Sequence, residues 1–131
     1  MNIPSLSCKI ETFCTINPSE SIEKIEQAIS NIFPYSIINN NNFSINAQSK
    51  ELRSFEKIYQ FIHNNNLQKN YLRSLEDNLQ DDTTWFYLNK QAAFVEQIAI
   101  CEESDESPLG PIKVSITSSN IDAIIDWLIF D

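Results

Sequence analysis

The stretch Thr84-Trp85-Phe86-Tyr87-Leu88-Asn89-Lys90-Gln91-Ala92-Ala93-Phe94-Val95 is the densest aromatic and aliphatic run in the chain, and one polar insert breaks it. Aromatic and β-branched residues at this density fit a pleated, buried surface. The run reads as two strands of a central sheet joined by a turn at Asn89-Lys90-Gln91. The rest of the chain must then supply helices that cover one face of that sheet.

Periodicity along the chain supplies them. Leu6, Cys8, Ile10, Thr12 and Cys14 alternate with Ser7, Lys9, Glu11 and Phe13, the period of a half-buried strand. A helix start follows, with Asn17 as N-cap, Pro18 at the first helical position and Glu20 three residues after the cap. Ile22, Ile25, Ile29, Ile32 and Phe33 share one arc of its wheel, and Pro34 ends it. Tyr35–Ile38 and Phe43–Ala47 read as short strands around Asn39-Asn40-Asn41-Asn42, because asparagine tolerates positive φ and turns a hairpin without glycine. A helix from Lys50 to about Asn64 carries Leu52, Phe55, Ile58, Tyr59 and Ile62 inward. Another, from Leu67 to about Gln80, carries Leu67, Tyr71, Leu72, Leu75 and Leu79. After the central run, Ile112–Thr117 alternates as a last strand. A final helix capped near Ser119 or Asn120 buries Ile121, Ile124, Ile125 and Leu128. The order β-α-β-β-α-α-β-β-β-α gives an α+β two-layer sandwich. Its sheet is mostly antiparallel, with about six strands and helices on one face, and residues 1–131 form a single domain.

Several function classes are unsupported. The only glycine is Gly110, so a phosphate-cradling loop is absent. His63 is the only histidine, and nothing marks a serine or cysteine as its partner. The acidic clusters, Glu76-Asp77 with Asp81-Asp82 and Glu102-Glu103 with Asp105-Glu106, lack the alternating spacing of a calcium loop and read as solvated loops. Cys8, Cys14 and Cys101 cannot all pair. On one continuous strand Cys8 and Cys14 would stand about 20 Å apart, too far for a disulfide, so buried thiols in a reducing compartment are expected. No apolar run reaches the ~18 residues of a membrane span, and the first residues carry no signal pattern. A cytoplasmic, non-catalytic protein with no cofactor or metal is expected.

The net charge of −9 opposes a simple electrostatic nucleic-acid binder. Its distribution is uneven, however. Residues 50–73 hold Lys50, Arg53, Lys57, Lys69 and Arg73 against Glu51 and Glu56. On a helical wheel Lys50, Arg53 and Lys57 cluster opposite the apolar arc, with Phe61 beside them as a plane for base stacking. The polar side of any amphipathic helix carries charge, so this face also reads as solvated surface. Asn89, Lys90 and Gln91 combine a phosphate donor with two amides, and also read as a plain hairpin tip.

Phe86-Tyr87-Leu88-Asn89-Lys90-Gln91-Ala92-Ala93-Phe94, then Glu106-Ser107-Pro108-Leu109-Gly110-Pro111-Ile112, then Ile125-Asp126-Trp127-Leu128, resemble a family of small uncharacterised archaeal proteins. The similarity runs from the first strand to the C-terminus. Members are described as RNA-binding and linked to the archaeal exosome, with a fold similar to large-subunit ribosomal protein five. The resemblance implies the same two-layer α+β sheet that the periodicity gives independently. It carries over no individual binding residue. Ser107-Pro108-Leu109-Gly110-Pro111 also reads as a rigid turn in which Gly110 takes positive φ.

The expected function is an RNA-binding or RNA-processing accessory protein. Lys50, Arg53, Lys57, Lys69, Arg73 and the Asn89-Lys90-Gln91 turn would contact the sugar–phosphate backbone, and Phe61 and other aromatics would stack on unpaired bases. The alternative is an acidic protein–protein adaptor, docking on a ribosomal or exosome subunit, or a homodimer formed through the open sheet.

Overall fold

Strict alternation builds one open sheet. The computed structural model describes residues 2–95, 97–101 and 110–131. In chain order its strands are β1 (Lys9–Thr15), β2 (Ile37–Asn40), β3 (Ser44–Ser49), β4 (Thr83–Asn89), β5 (Ile100–Cys101) and β6 (Pro111–Thr117). They lie side by side as β2-β3-β1-β6-β4-β5, and every pair is antiparallel. Register matches the apolar phase across the strands. Ile10 faces Ile116, which faces Thr84; Thr12 faces Val114, which faces Phe86; Cys14 faces Ile45 on the other side. A one-residue slip would turn that whole set to solvent, so the register is strongly specified.

The helices are α1 (Ile22–Ile32), α2 (Glu56–Asn64), α3 (Gln68–Asp77), α4 (Lys90–Phe94) and α5 (Ile121–Phe130), with a 3-10 turn at Leu52–Phe55. Their apolar arcs close on the inner face of the sheet. Ile25 and Ile29 of α1, Ile58 and Ile62 of α2, Tyr71 and Leu75 of α3, and Ile124 and Leu128 of α5 are all buried in one core with Ile10, Phe86 and Val114. A chain of rings crosses between the layers: Phe33 to Phe55 at 6.0 Å, Phe55 to Phe86 at 6.2 Å, and Tyr71 edge-on to Phe86 at 5.6 Å. The α+β sandwich expected from periodicity is the observed fold.

Three local expectations change. First, α1 begins at Ile22 with Ser21 as its N-cap; Asn17 instead opens a separate turn in which the Glu20 N–H donates to the Asn17 carbonyl. Second, residues 50–64 are not one helix: Glu51 is extended, Leu52–Phe55 is 3-10, and α2 begins only at Glu56. Third, Asn89-Lys90-Gln91 is not a hairpin tip. Asn89 caps α4, its Oδ1 accepting from the Ala92 N–H at 2.9 Å, and the chain rejoins the sheet only at Ile100.

The turn chemistry holds elsewhere. Asn42 has φ +73°, and Asn41 Oδ1 accepts from the Phe43 and Ser44 N–H groups, so the asparagine run does turn the β2–β3 hairpin. Gly110 has φ +86°. Residues 107–109 of that turn, and the acidic cluster at 102–106, lie outside the described residues. None of the three cysteines is in a disulfide, and burial pushes the Cys14 thiol up to about 11. Among the described residues no helix is long and apolar enough to cross a membrane, and no group of His, Cys, Asp or Glu could hold a metal ion.

Candidate nucleic-acid interface

The basic residues singled out by sequence fall into separate places. Lys50 and Arg53 flank one surface cleft together with Glu51, and the Arg53 guanidinium pairs with Glu51 at 3.0 Å while lying 3.9 Å over the Tyr35 ring. Lys57 points elsewhere, donating to the Asn31 carbonyl at the end of α1. Lys69 and Arg73 are exposed on α3, and Phe61 is half-buried on α2. The cause is the 3-10 turn. A wheel drawn at 3.6 residues per turn loses phase across a segment wound at three, so Lys50 and Arg53 do not share a stripe with Lys57.

Lys90 is corrected outright. Its side chain is fully buried, and its Nζ donates to the Thr15 carbonyl at 2.7 Å and to Glu20 Oε1 at 3.1 Å. Glu20 Oε1 also accepts from the Asn17 N–H and from the Asn17 amide. The ammonium therefore ties the end of β1, the Asn17–Glu20 turn and α4 together, and is not a phosphate contact. Asn89 is occupied by its cap, while Gln91 is exposed on α4.

The Glu20 carboxyl has a consequence for stability. Burial pushes its pKa up, but the Asn17 donors and Lys90 outweigh burial and hold it below the ordinary glutamate value. A group whose pKa is depressed by folding stabilises the fold above its unfolded pKa, and that stabilisation fades as pH falls through the folded value. The stability gap between the wild type and Glu20→Gln in urea denaturation is therefore expected to be constant above about pH 5 and to shrink below it. A gap independent of pH would contradict the assignment.

The solvent face of the sheet holds what the sequence reading assigned to sheet building. On the phase opposite the core, Phe13 of β1 faces Lys113 of β6, which faces Tyr87 of β4. One step along, Glu11 faces Ser115, which faces Trp85. Phe13 is 40% exposed, and Trp85 and Tyr87 are half-buried. Two residues along a strand separate Trp85 from Tyr87 by ~6.6 Å, and two strand spacings separate Tyr87 from Phe13 by ~10 Å. Lys113 sits 4.9 Å from the Trp85 ring centre, a cation–π contact. Around them lie uncharged side chains: Asn46 and Gln48 on β3, and Thr83 and Thr117, whose hydroxyls bond each other at 2.9 Å. The charges of this face and its Lys50–Arg53 edge are Lys9, Lys113, Lys50 and Arg53 against Glu11 and Glu51. Among the described residues, a chain of net charge −9 thus presents four cations to two carboxylates here.

Two signals for this face were present in the sequence. Phe13 stands in the polar phase of β1, and Thr84–Leu88 is apolar in both phases, so one phase must carry aromatic rings away from the core.

This arrangement can bind an unpaired nucleic-acid strand, with rings as stacking planes and ammonium groups for phosphates. Residues 9–118 match a family model described as RNA binding. A UPF0201 protein of Sulfurisphaera tokodaii is 35% identical over 117 residues, covering 86% of this chain and 81% of that protein. One from Methanothermobacter thermautotrophicus is 32% identical over 122 residues, covering 92% and 89%. A crystal structure of a UPF0201 protein from Methanococcus jannaschii superposes with a TM-score of 0.77 at 26% identity, covering 92% of each chain.

Proposed function

The chain belongs to the family described as RNA binding that its residues 9–118 match, and from that premise we propose that it binds single-stranded RNA on the open face of its sheet. The observation that carries the reading is the set of accessible rings, Phe13, Trp85 and Tyr87, on strands β1 and β4 with Lys113 of β6 between them. Cross-strand packing uses part of these side chains, Lys113 lying over Trp85, but it leaves Phe13 40% exposed and the rings of Trp85 and Tyr87 partly open to solvent. Unpaired bases can stack on them, whereas the bases of a duplex stack on one another and are out of reach. The protein acts without catalysis, as an accessory that holds RNA for other components. Lys9, Lys113, Lys50 and Arg53 take the phosphates, while Lys57, Lys69 and Arg73 lie apart from this track.

A salt titration of binding to single-stranded RNA tests this. Two to four phosphate contacts give a log–log slope of about −1.4 to −2.8. Duplex RNA of the same length is expected to compete poorly. A slope near zero, or preference for the duplex, would count against the sheet face.

A second reading is favoured by the same exposed apolar residues, with Ile37 at 73% and Phe43 at 79% exposed near the sheet edge. Self-association through this face would appear in sedimentation as a dimer, and RNA would compete with it.

A further inference from the structure

We infer that the cleft at the β2 edge of the sheet is a second nucleotide subsite, taking a phosphate and its attached sugar and base beyond the aromatic platform; this rests on the sheet-face reading above. The cleft has a volume of about 390 Å³, within the range of small-molecule sites, and is lined by Lys9, Tyr35, Ile37, Gln48, Lys50 and Glu51. Lys9, Ile37 and Gln48 belong to the solvent phase of β1, β2 and β3, so the floor of the cleft continues the platform rather than opening on another side.

Its chemistry is that of a nucleotide. Tyr35 is 38% exposed, and its ring is backed by the Arg53 guanidinium, which fixes an aromatic plane before any ligand arrives. Ile37 adds apolar surface beside it. Lys50 is exposed and forms no ion pair among the described residues. Among the described residues the Lys9 ammonium is held only by an exposed contact of 3.8 Å to Glu11, which a phosphate can displace. The one carboxylate of the lining, Glu51, is already neutralised by Arg53 at 3.0 Å. Two available ammonium groups thus flank a pre-set ring. Strand order makes the site an extension of the same track: four spacings from β4 to β2 span ~19 Å, so only a strand longer than the platform reaches it.

The test compares labelled single-stranded RNAs of about three and about eight nucleotides on the full chain. The wild type is expected to bind the longer about tenfold more tightly or better. Tyr35→Ala should remove most of that gain while leaving the shorter RNA unaffected, and Lys50→Glu should weaken the longer RNA several-fold more than the shorter. Tyr35→Ala decides between a subsite and general electrostatics, because it changes no charge. Both side chains are solvent-accessible, and a thermal melt confirms that the variants fold. No gain with length, or an equal loss at both lengths, would overturn the subsite and leave the platform standing. No binding at either length defeats the sheet-face reading and the subsite with it.

Discussion

Lys90→Met is expected to lower the stability of the fold by about 3–5 kcal/mol, the usual cost of removing one partner from a buried ion pair. The Lys90 side chain is fully buried and the Glu20 side chain is 4% exposed, so the surviving carboxylate cannot recover its hydration. The Thr15 carbonyl loses its donor at the same time. Among the described residues Glu20 Oε2 has no hydrogen-bond partner, which leaves little slack in the site. For a domain of this size, the loss corresponds to a fall in melting temperature on the order of 10 °C or more. Adding Glu20→Gln to Lys90→Met should recover a large part, because a neutral amide has far less desolvation to make good. Chemical denaturation of the two single variants and the double variant gives the coupling directly. A loss below about 1 kcal/mol for Lys90→Met would mean that the ammonium reaches water.

The second large effect concerns RNA. Trp85→Ala and Tyr87→Ala are each expected to weaken binding of single-stranded RNA about 5- to 150-fold, corresponding to ~1–3 kcal/mol per stacked base. Tyr87→Phe should bind like the wild type, since stacking uses the ring and not the hydroxyl. Phe13→Ala should behave as the other two ring removals do. Lys57→Ala, in contrast, is expected to leave affinity nearly unchanged, because its ammonium is directed to the Asn31 carbonyl. Fluorescence anisotropy across this set separates the sheet face from the basic helix surface. If Lys57→Ala, Lys69→Ala and Arg73→Ala reduced binding while the ring variants did not, the helical side would be the interface.

The sequence made the layers legible and hid the partners. Period-two alternation in β1 and β6 and the apolar arcs of α1 and α5 are local, and local periodicity survives folding unchanged. The asparagine turn and Gly110 were legible for the same reason, since positive φ is a property of the residue itself. At Asn89-Lys90-Gln91 two local rules compete, and the sequence alone does not decide between them. Phe94 and Val95 favour a strand, but Asn89 is a strong N-cap ahead of Lys-Gln-Ala-Ala, a good helical sequence, and the cap wins. The role of Lys90 was not legible at all. Its partner Glu20 is 70 residues away, and a lysine next to two amides gives no sign that it will be buried. The basic helix face failed through phase: a wheel assumes one winding, and the 3-10 turn at Leu52–Phe55 broke it. Trp85 and Tyr87 stand in the most distinctive run, whose residues read from sequence as sheet building, although one phase of a strand that is apolar in both must face outward.

Amide shift mapping of the ¹⁵N-labelled chain during titration with a short single-stranded RNA locates the binding face residue by residue. Perturbations are expected on β1, β6 and β4 at Phe13, Lys113, Ser115 and Tyr87, together with the indole N–H of Trp85. The indole N–H of Trp127, which is buried and donates to the Asn2 carbonyl, should stay in place. Perturbations confined to α2 and α3 with the sheet face silent would contradict binding on the sheet.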